Sequence, residues 1–180
     1  GPGVEIKILN TEGKEVSSGE VGEILIKSNT NMKAYWNKPE ASLEAFDGNW
    51  FISGDAGYFD EEGFLFIHDR VKDMIVSGAE NIYPAEVDNA LMSHPEIIDA
   101  AVIGIPDEKW GEIVKGFVVL SQNSKLTESD IISHVRTKIA GFKCPKTIEF
   151  IKELPRNPSG KILRRELRAP YWEGKDRNIS

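Results

Sequence analysis

Residues 97–105 read IIDAAVIGI and residues 114–120 read VKGFVVL, two short and nearly continuous apolar runs. Runs of this length and composition are typical of strands that are covered on both faces. Thr147–Phe150 is predicted to add one more strand. The three segments together predict a small three-stranded sheet that is covered by helices.

Helix signals surround these strands. Tyr83-Pro84-Ala85-Glu86 predicts a helix that continues to about Met92, because proline is favoured at an early helical position and acid in the first turn. Thr127-Glu128-Ser129-Asp130 predicts the cap of another helix. Its apolar stripe would be Ile131, Ile132, Val135 and Ile139. A final short helix is predicted over Ile162–Leu167.

The first third of the chain has the pattern of short strands. Val4–Leu9 and Glu23–Lys27 alternate apolar and polar residues. Phe51-Ile52, the acidic turn Asp60–Gly63 and then Phe64–His68 predict a strand, a tight turn and a returning strand. Short strands with glycine-rich turns indicate a small barrel or sandwich fragment.

The pattern changes near Asp69–Lys72, where we expect a boundary. We therefore predict an α+β chain of two domains. Residues 1–70 would form a small β-barrel-like subdomain, and residues 71–180 a compact α/β C-terminal domain with the three-stranded sheet and helices.

Composition narrows the class of protein. The 180 residues carry a formal net charge of −7, with no basic excess, so we expect no nucleic-acid partner. No apolar run approaches the ~18–20 residues that span a bilayer, so no integral membrane segment is expected. A single cysteine, Cys144, excludes an internal disulfide and is compatible with the reducing cytoplasm. The start Gly1-Pro2-Gly3 is neither a methionine start nor a signal peptide, and suggests a processed, engineered or internal beginning.

Two short motifs have residue types that suit a nucleotide. In Ser53-Gly54-Asp55 the glycine would let the chain turn sharply at the end of a strand. The Asp55 carboxylate only accepts hydrogen bonds, which suits the two vicinal hydroxyls of a ribose. In Asp69–Asp73, Arg70 offers a rigid fork of donors for hydroxyls or phosphate, and Lys72 lies where a hinge could form. By itself the first motif is more often a plain turn, and the second is more often a solvated charge run at a domain boundary.

Two further segments have features of a ligand site. Gly78 and Ala79 are small enough to allow close approach of the backbone to a narrow ligand, although a simple hairpin turn would have the same residues. Leu154–Lys161 contains two prolines and a glycine, which predict an ordered loop with Lys161 at its exit. A lysine there suits a phosphoryl oxygen, or is merely solvated. No P-loop pattern precedes it.

In this order, the motifs resemble those of one family, the adenylate-forming superfamily. The resemblance lies in Ser53–Asp55 with Gly57-Tyr58, Asp69–Ile75, Gly78–Val87 and Pro155–Lys161. Two more stretches resemble its acyl-CoA synthetase branch, namely Met32–Ala41 and Gly104–Glu112. The resemblance covers essentially the whole chain. It implies an AMP-forming acid–thiol ligase that converts an acid and ATP to acyl-AMP and pyrophosphate, and then forms a thioester with CoA.

The resemblance also implies roles for the first half-reaction. Asp55 would accept the hydroxyls of the adenylate ribose, and Arg70 would contact the same ribose or its phosphate side. Lys161 would bridge the carboxylate and the α-phosphate, where negative charge builds up during attack. Many relatives have threonine in place of Ser53, which keeps the hydroxyl.

For the second half-reaction, the resemblance implies that Lys72 is the hinge about which a small C-terminal domain rotates. Gly78 and Ala79 would then approach the pantetheine arm of CoA. Many relatives have a second glycine in place of Ala79, and the two alternatives for its methyl group are that it crowds the pantetheine or that it is harmless.

The family's large N-terminal region, with its phosphate loop and acid pocket, does not occur in this sequence. We therefore expect a fragment that is inactive alone, whether an expressed piece, a proteolytic remnant or one member of a split enzyme. ATP, CoA and Mg²⁺ would bind together with that N-terminal region, which is the expected partner. A medium- or long-chain fatty acid is the expected substrate, and an aromatic acid is the alternative. Two alternatives are a fragment that loads a carrier protein and a non-catalytic module that binds a nucleotide or partner.

Overall fold

The computed structural model describes residues 3–31 and 39–175. Most of the Met32–Ala41 stretch therefore lies outside the described residues. The chain divides into two compact units between Lys72 and Asp73. No helix in the described ranges is long and apolar enough to cross a membrane.

The first unit is built on one antiparallel sheet. Its elements are β1 (Val4–Leu9), β2 (Gly22–Ser28), α1 (Pro39–Glu44), β3 (Phe46–Asp47), β4 (Trp50–Phe59) and β5 (Leu65–Arg70). The strands are ordered β1–β2–β4, and both β3 and β5 pair with β4, so the sheet is an open, curled half-barrel. Its buried side chains are Ile8, Ile24, Leu25 and Ala56.

Strand β4 corrects one prediction, because it continues through Ser53-Gly54-Asp55 instead of ending at Ile52. Ile52 pairs with Leu25 and Ala56 pairs with Glu23, so three residues of β4 oppose a single residue of β2. Gly54 has a φ of 72°, which a residue with a side chain adopts only under strain. The motif is therefore a bulge within a long strand, and such bulges re-aim side chains.

The second unit contains the sheet that the apolar runs predict. Its elements are β6 (Ile75–Ser77), β7 (Glu80–Ile82), α2 (Pro84–Met92), β8 (Ile97–Asp107), β9 (Gly111–Leu120), α3 (Glu128–Arg136), β10 (Thr147–Phe150) and α4 (Arg164–Trp172). Strand β8 pairs with β9, which also pairs with β10 in parallel and with β6. Because β7 pairs with β6, the sheet has five strands and not the predicted three. The additional strands have three residues each, which is too short to show an alternating pattern.

Both faces of this sheet are covered, which explains the continuous apolar runs. On β8, Val102 belongs to the cluster that includes Leu91 of α2 and Ile131 of α3. The next residue, Ile103, belongs to a second cluster that Leu167 of α4 packs against. Successive side chains of a strand point to opposite faces, so both must be apolar here. The α+β prediction is confirmed.

The helices agree with both of the predicted start signals. Helix α2 begins at Pro84, and in α3 the Thr127 hydroxyl accepts from the Asp130 N–H in a reciprocal capping box. The prediction of a helix over Ile162–Leu167 was wrong in its bounds, since α4 extends to Trp172 and includes Pro170. Pro170 removes one backbone donor in the last turn of the helix, two residues before the helix ends.

Candidate functional site

Asp55 and Arg70, the two residues predicted to bind the ribose, lie side by side. They are cross-strand partners on β4 and β5. The Arg70 Nη1 donates to Asp55 Oδ1 at 2.6 Å, and the side chains are 40% and 30% exposed respectively. The Nε of Arg70 is buried and has no hydrogen-bond partner within the described ranges. The pair thus offers a carboxylate and a guanidinium to the same small region.

Ser53 helps to fix this pair, a role that the sequence did not reveal. Its hydroxyl accepts a hydrogen bond from the Asp55 N–H at 3.1 Å. This bond closes the bulge of β4 around Gly54 and sets the direction of the Asp55 carboxylate. A threonine hydroxyl would make the same bond, which agrees with the resemblance to relatives that have threonine at this position.

Lys72, the predicted hinge, lies in a one-turn 3-10 helix over Val71–Asp73 and is exposed. The next residue, Asp73, is buried, and its Oδ1 accepts from Arg168 Nη1 at 2.8 Å. Arg168 is on α4, so the first residue of the second unit is tied to that unit's last helix. The ion pair spans 95 residues of sequence, and no local pattern indicates it.

Gly78 and Ala79 form the two-residue turn of the β6–β7 hairpin, because Ser77 pairs with Glu80. Gly78 has a φ of 64°, and its N–H donates to the Trp110 carbonyl at 2.7 Å. A side chain at Gly78 would lie 3.2 Å from the Trp110 ring, so the turn and that ring are in close contact. Ala79 is exposed and has no positive φ, so its methyl group fits this turn without strain.

A buried carboxylate supports the same hairpin. Glu112 is only 6% exposed, and its Oε2 accepts from the Val76 N–H of β6 at 2.9 Å. A side chain at Gly104 would come within 2.6 Å of that oxygen, so the glycine leaves room for it. The sequence segment Gly104–Glu112 thus places both the glycine and the acid that hold β6 against the sheet.

Lys161 ends a tightly bonded turn. Its backbone N–H donates to Asn157 Oδ1 at 2.8 Å, and its carbonyl accepts from the Asn157 N–H at 2.9 Å. Gly160, with a φ of 84°, completes the turn. The Lys161 side chain is exposed, and its ammonium makes no hydrogen bond or ion pair with the described part of the chain. The backbone of Lys161 is therefore fixed by hydrogen bonds, while its ammonium group is exposed to a ligand.

Cys144 has the surroundings of a structural residue. It is 2% exposed, and its thiol lies 3.5 Å from the Ala140 carbonyl. Burial raises the pKa of the Cys144 thiol, which disfavours the nucleophilic thiolate.

Comparison with known proteins identifies the family. Residues 86–161 match the family model described as the AMP-binding enzyme C-terminal domain. This match contains the β8–β9 hairpin, α3 and the Lys161 turn. The chain contains the C-terminal domain of the AMP-binding, adenylate-forming enzyme family.

Two relatives that the chain matches are named as ligases. It is 44% identical, over 99% of its length, to the fatty acid–[acyl-carrier-protein] ligase ScoC of Streptomyces coeruleorubidus. It is 47% identical, over 93% of its length, to the long-chain-fatty-acid–CoA ligase FadD13 of Mycobacterium tuberculosis. The ATP-bound crystal structure of MatB from Rhodopseudomonas palustris has a TM-score of 0.85 and 35% identity over 94% of the chain.

The chain spans about a third of the length of these proteins. It covers 34% of ScoC, 33% of FadD13 and 34% of the MatB chain.

Proposed function

We propose that the chain supplies the ribose-binding pair, the hinge and the catalytic lysine of an ATP-dependent acid–thiol ligase. Residues 1–70 would be the end of the family's large domain, and residues 71–180 the lid that rotates at Lys72. The observation that carries the proposal is the Lys161 turn, where a rigid backbone presents an ammonium that no described acid neutralises. The family membership and the two named ligases support it.

In the first half-reaction, a carboxylate oxygen attacks the α-phosphorus of ATP. The bond from that phosphorus to the bridging oxygen breaks, and pyrophosphate leaves with the electron pair. Lys161 would lie against the carboxylate and the α-phosphate, and stabilise the charge that builds between them. Asp55 would accept the ribose hydroxyls and Arg70 would contact the ribose or its phosphate side.

In the second half-reaction, the thiol sulfur attacks the acyl carbon of acyl-AMP. The carbon–oxygen bond to AMP breaks, AMP leaves as an anion, and the thiol proton passes to solvent. The Gly78-Ala79 turn would lie along the pantetheine arm. Two observations support this proposal. The methyl group of Ala79 is exposed, and the turn lies so close to the Trp110 ring that a side chain at Gly78 would crowd it.

The described residues give no basis for assigning a side chain to the Mg²⁺ that the resemblance implies. The described ranges contain no cluster of three or more His, Cys, Asp or Glu side chains that could hold a metal ion. We therefore assign no residue of this chain to Mg²⁺ and derive no step through it.

For the substrate, we propose a medium- or long-chain fatty acid, because two similar proteins are named as fatty-acid ligases. CoA is the proposed acceptor. A carrier-bound pantetheine is the second candidate, favoured by the 44% identity to the acyl-carrier-protein ligase ScoC.

The acceptor and acid are tested with the full-length protein that contains this chain. It is incubated with ATP, Mg²⁺ and a medium-chain, long-chain or aromatic acid, with either CoA or a pantetheinylated carrier protein. Mass spectrometry of the thioester is expected to show fatty acyl-CoA. Acyl-carrier protein as the sole product would favour the second candidate, and the absence of both products with every acid would contradict the ligase proposal.

The 180-residue chain alone is expected to be inactive. It contains the lysine and the ribose pair, but the resemblance places the phosphate loop and the acid pocket elsewhere. The measurement is pyrophosphate–ATP exchange with the isolated chain and a panel of fatty acids, with the full-length protein as the positive control. Clear exchange by the isolated chain would contradict this prediction.

A further inference from the structure

One arginine fastens the Lys161 turn to the sheet. The Arg156 Nη2 donates to both carboxylate oxygens of Asp99 at 2.8 Å, and its Nη1 donates to the Gly160 carbonyl at 2.6 Å. Gly160 directly precedes Lys161. The guanidinium thus connects β8 to the peptide that enters the lysine, a geometry that a planar fork of donors can satisfy and an ammonium cannot.

The other end of this connection is also well fixed. Asp99 Oδ1 accepts from the Ala100 N–H at 3.1 Å. Asp99 lies where the pairing of β8 with β9 shifts register, between Ile97 and Asp99. A bulge of this kind redirects a side chain that regular pleating would place differently. Both the strand irregularity and the backbone bond therefore aim the carboxylate at Arg156.

The other hydrogen bonds seen for the turn among the described residues are local. Asn157 binds Lys161 and accepts from the Ser159 hydroxyl at 2.8 Å, all within five consecutive residues. These bonds fix the shape of the turn, whereas the Asp99–Arg156 pair ties the peptide before Lys161 to β8. The shape of the turn and its connection to β8 therefore depend on different residues, so a substitution can change one without the other.

We propose that Arg156 and Asp99 are positioning residues, which hold Lys161 in the position and orientation that acyl-adenylate formation requires. The inference rests on the proposed function of Lys161. It predicts that the pair matters for the first half-reaction only, because Lys161 acts only there.

The partial exposure of the Arg156 and Asp99 side chains distinguishes a positioning role from a purely structural one. Arg156 and Asp99 are 40% and 28% exposed, and partly exposed ion pairs typically contribute little to the free energy of unfolding. Misplacement of a reacting group by about 1 Å, in contrast, can reduce a rate by about 10²-fold. Loss of the pair is therefore expected to reduce the rate of adenylation much more than the melting temperature.

The test uses Arg156→Met and Asp99→Asn in the full-length ligase, with Arg165→Met as the matched control. Arg165 is an exposed arginine on α4 for which no hydrogen bond or ion pair is seen within the described ranges. The measurements are kcat for pyrophosphate–ATP exchange, the rate of thioester formation from supplied acyl-AMP, and the thermal midpoint.

Both variants are expected to lose about 10–100-fold in exchange and to keep the thioester rate and the midpoint. The double variant should lose no more than the single ones, because the residues act as one unit. Arg156→Lys should restore little, since lysine cannot make the forked contact. Unchanged exchange, or equal losses in both half-reactions, would overturn the inference.

Lys161→Ala, measured in parallel, separates this inference from the proposed function. If Lys161→Ala removes exchange but the Arg156 and Asp99 variants behave as the unsubstituted enzyme, only the positioning role fails. If Lys161→Ala leaves exchange intact, the function proposed for the lysine fails, and the positioning role fails with it.

Discussion

Replacing Lys161 with alanine in the full-length protein is expected to reduce acyl-adenylate formation by about 10²–10³-fold or more. The ammonium would stabilise negative charge as the carboxylate attacks the α-phosphate, and no cation replaces it in the variant. Thioester formation from supplied acyl-AMP should remain largely intact, because that step does not use the lysine. The measurements are pyrophosphate–ATP exchange for the first step and release of AMP from acyl-AMP and CoA for the second.

The fold should tolerate this substitution. The contacts of Lys161 with Asn157 are made by the backbone, and alanine keeps them. Lys152→Ala is the matched control, since Lys152 is also exposed and precedes the same loop. An unchanged thermal midpoint together with lost exchange in Lys161→Ala alone would support the catalytic role. Survival of both half-reactions would rule it out and favour a non-catalytic binding module.

The sequence predicts well what depends on neighbouring residues. The runs at 97–105 and 114–120 became the central hairpin β8–β9, because burial on both faces requires apolar residues at every position. The capping box at Thr127 and Asp130 marked the start of α3 correctly. These features are encoded within a few residues, so a pattern shows them directly.

The sequence does not show what depends on register and on distant pairs. Gly54 was read as a turn at the end of a strand, whereas the pairing with β2 makes it a bulge inside β4. The ion pair of Arg156 with Asp99 joins residues 57 positions apart in sequence. No local sequence pattern around Arg156 or Asp99 indicates that the two residues pair. The positioning of Lys161 is therefore visible only in the folded chain.

The contact of Asp55 with Arg70 is intermediate between the features that the sequence shows and those that it does not. The resemblance assigned Asp55 and Arg70 to one ligand, and the structure places them in direct contact through the β4–β5 register. Ser53, which orients Asp55, was known only as part of the motif. The family pattern thus indicated two residues that the structure shows to be in contact, while the bulge and the strand pairing explain how they meet.

Replacing Lys72 with proline in the full-length protein is expected to reduce thioester formation strongly, roughly 10²-fold, while adenylation is spared. Proline fixes its own φ near −65° and restricts the residue before it. The φ of a 3-10 turn is close to that value, so the proline's own torsion fits position 72, and the added restriction falls on Val71. Rotation of the proposed lid, in contrast, would require these torsions to change.

Lys72→Ala is the control that separates the backbone from the side chain. Alanine removes the ammonium and keeps the torsional freedom, so both half-reactions should remain in that variant. The measurements are pyrophosphate–ATP exchange and single-turnover thioester formation from acyl-AMP and CoA. Equal thioester rates in the proline and alanine variants would exclude a hinge at Lys72. Because Asp73 is anchored to α4 by Arg168, loss of the second step in the proline variant alone would place the moving torsions directly before that anchor.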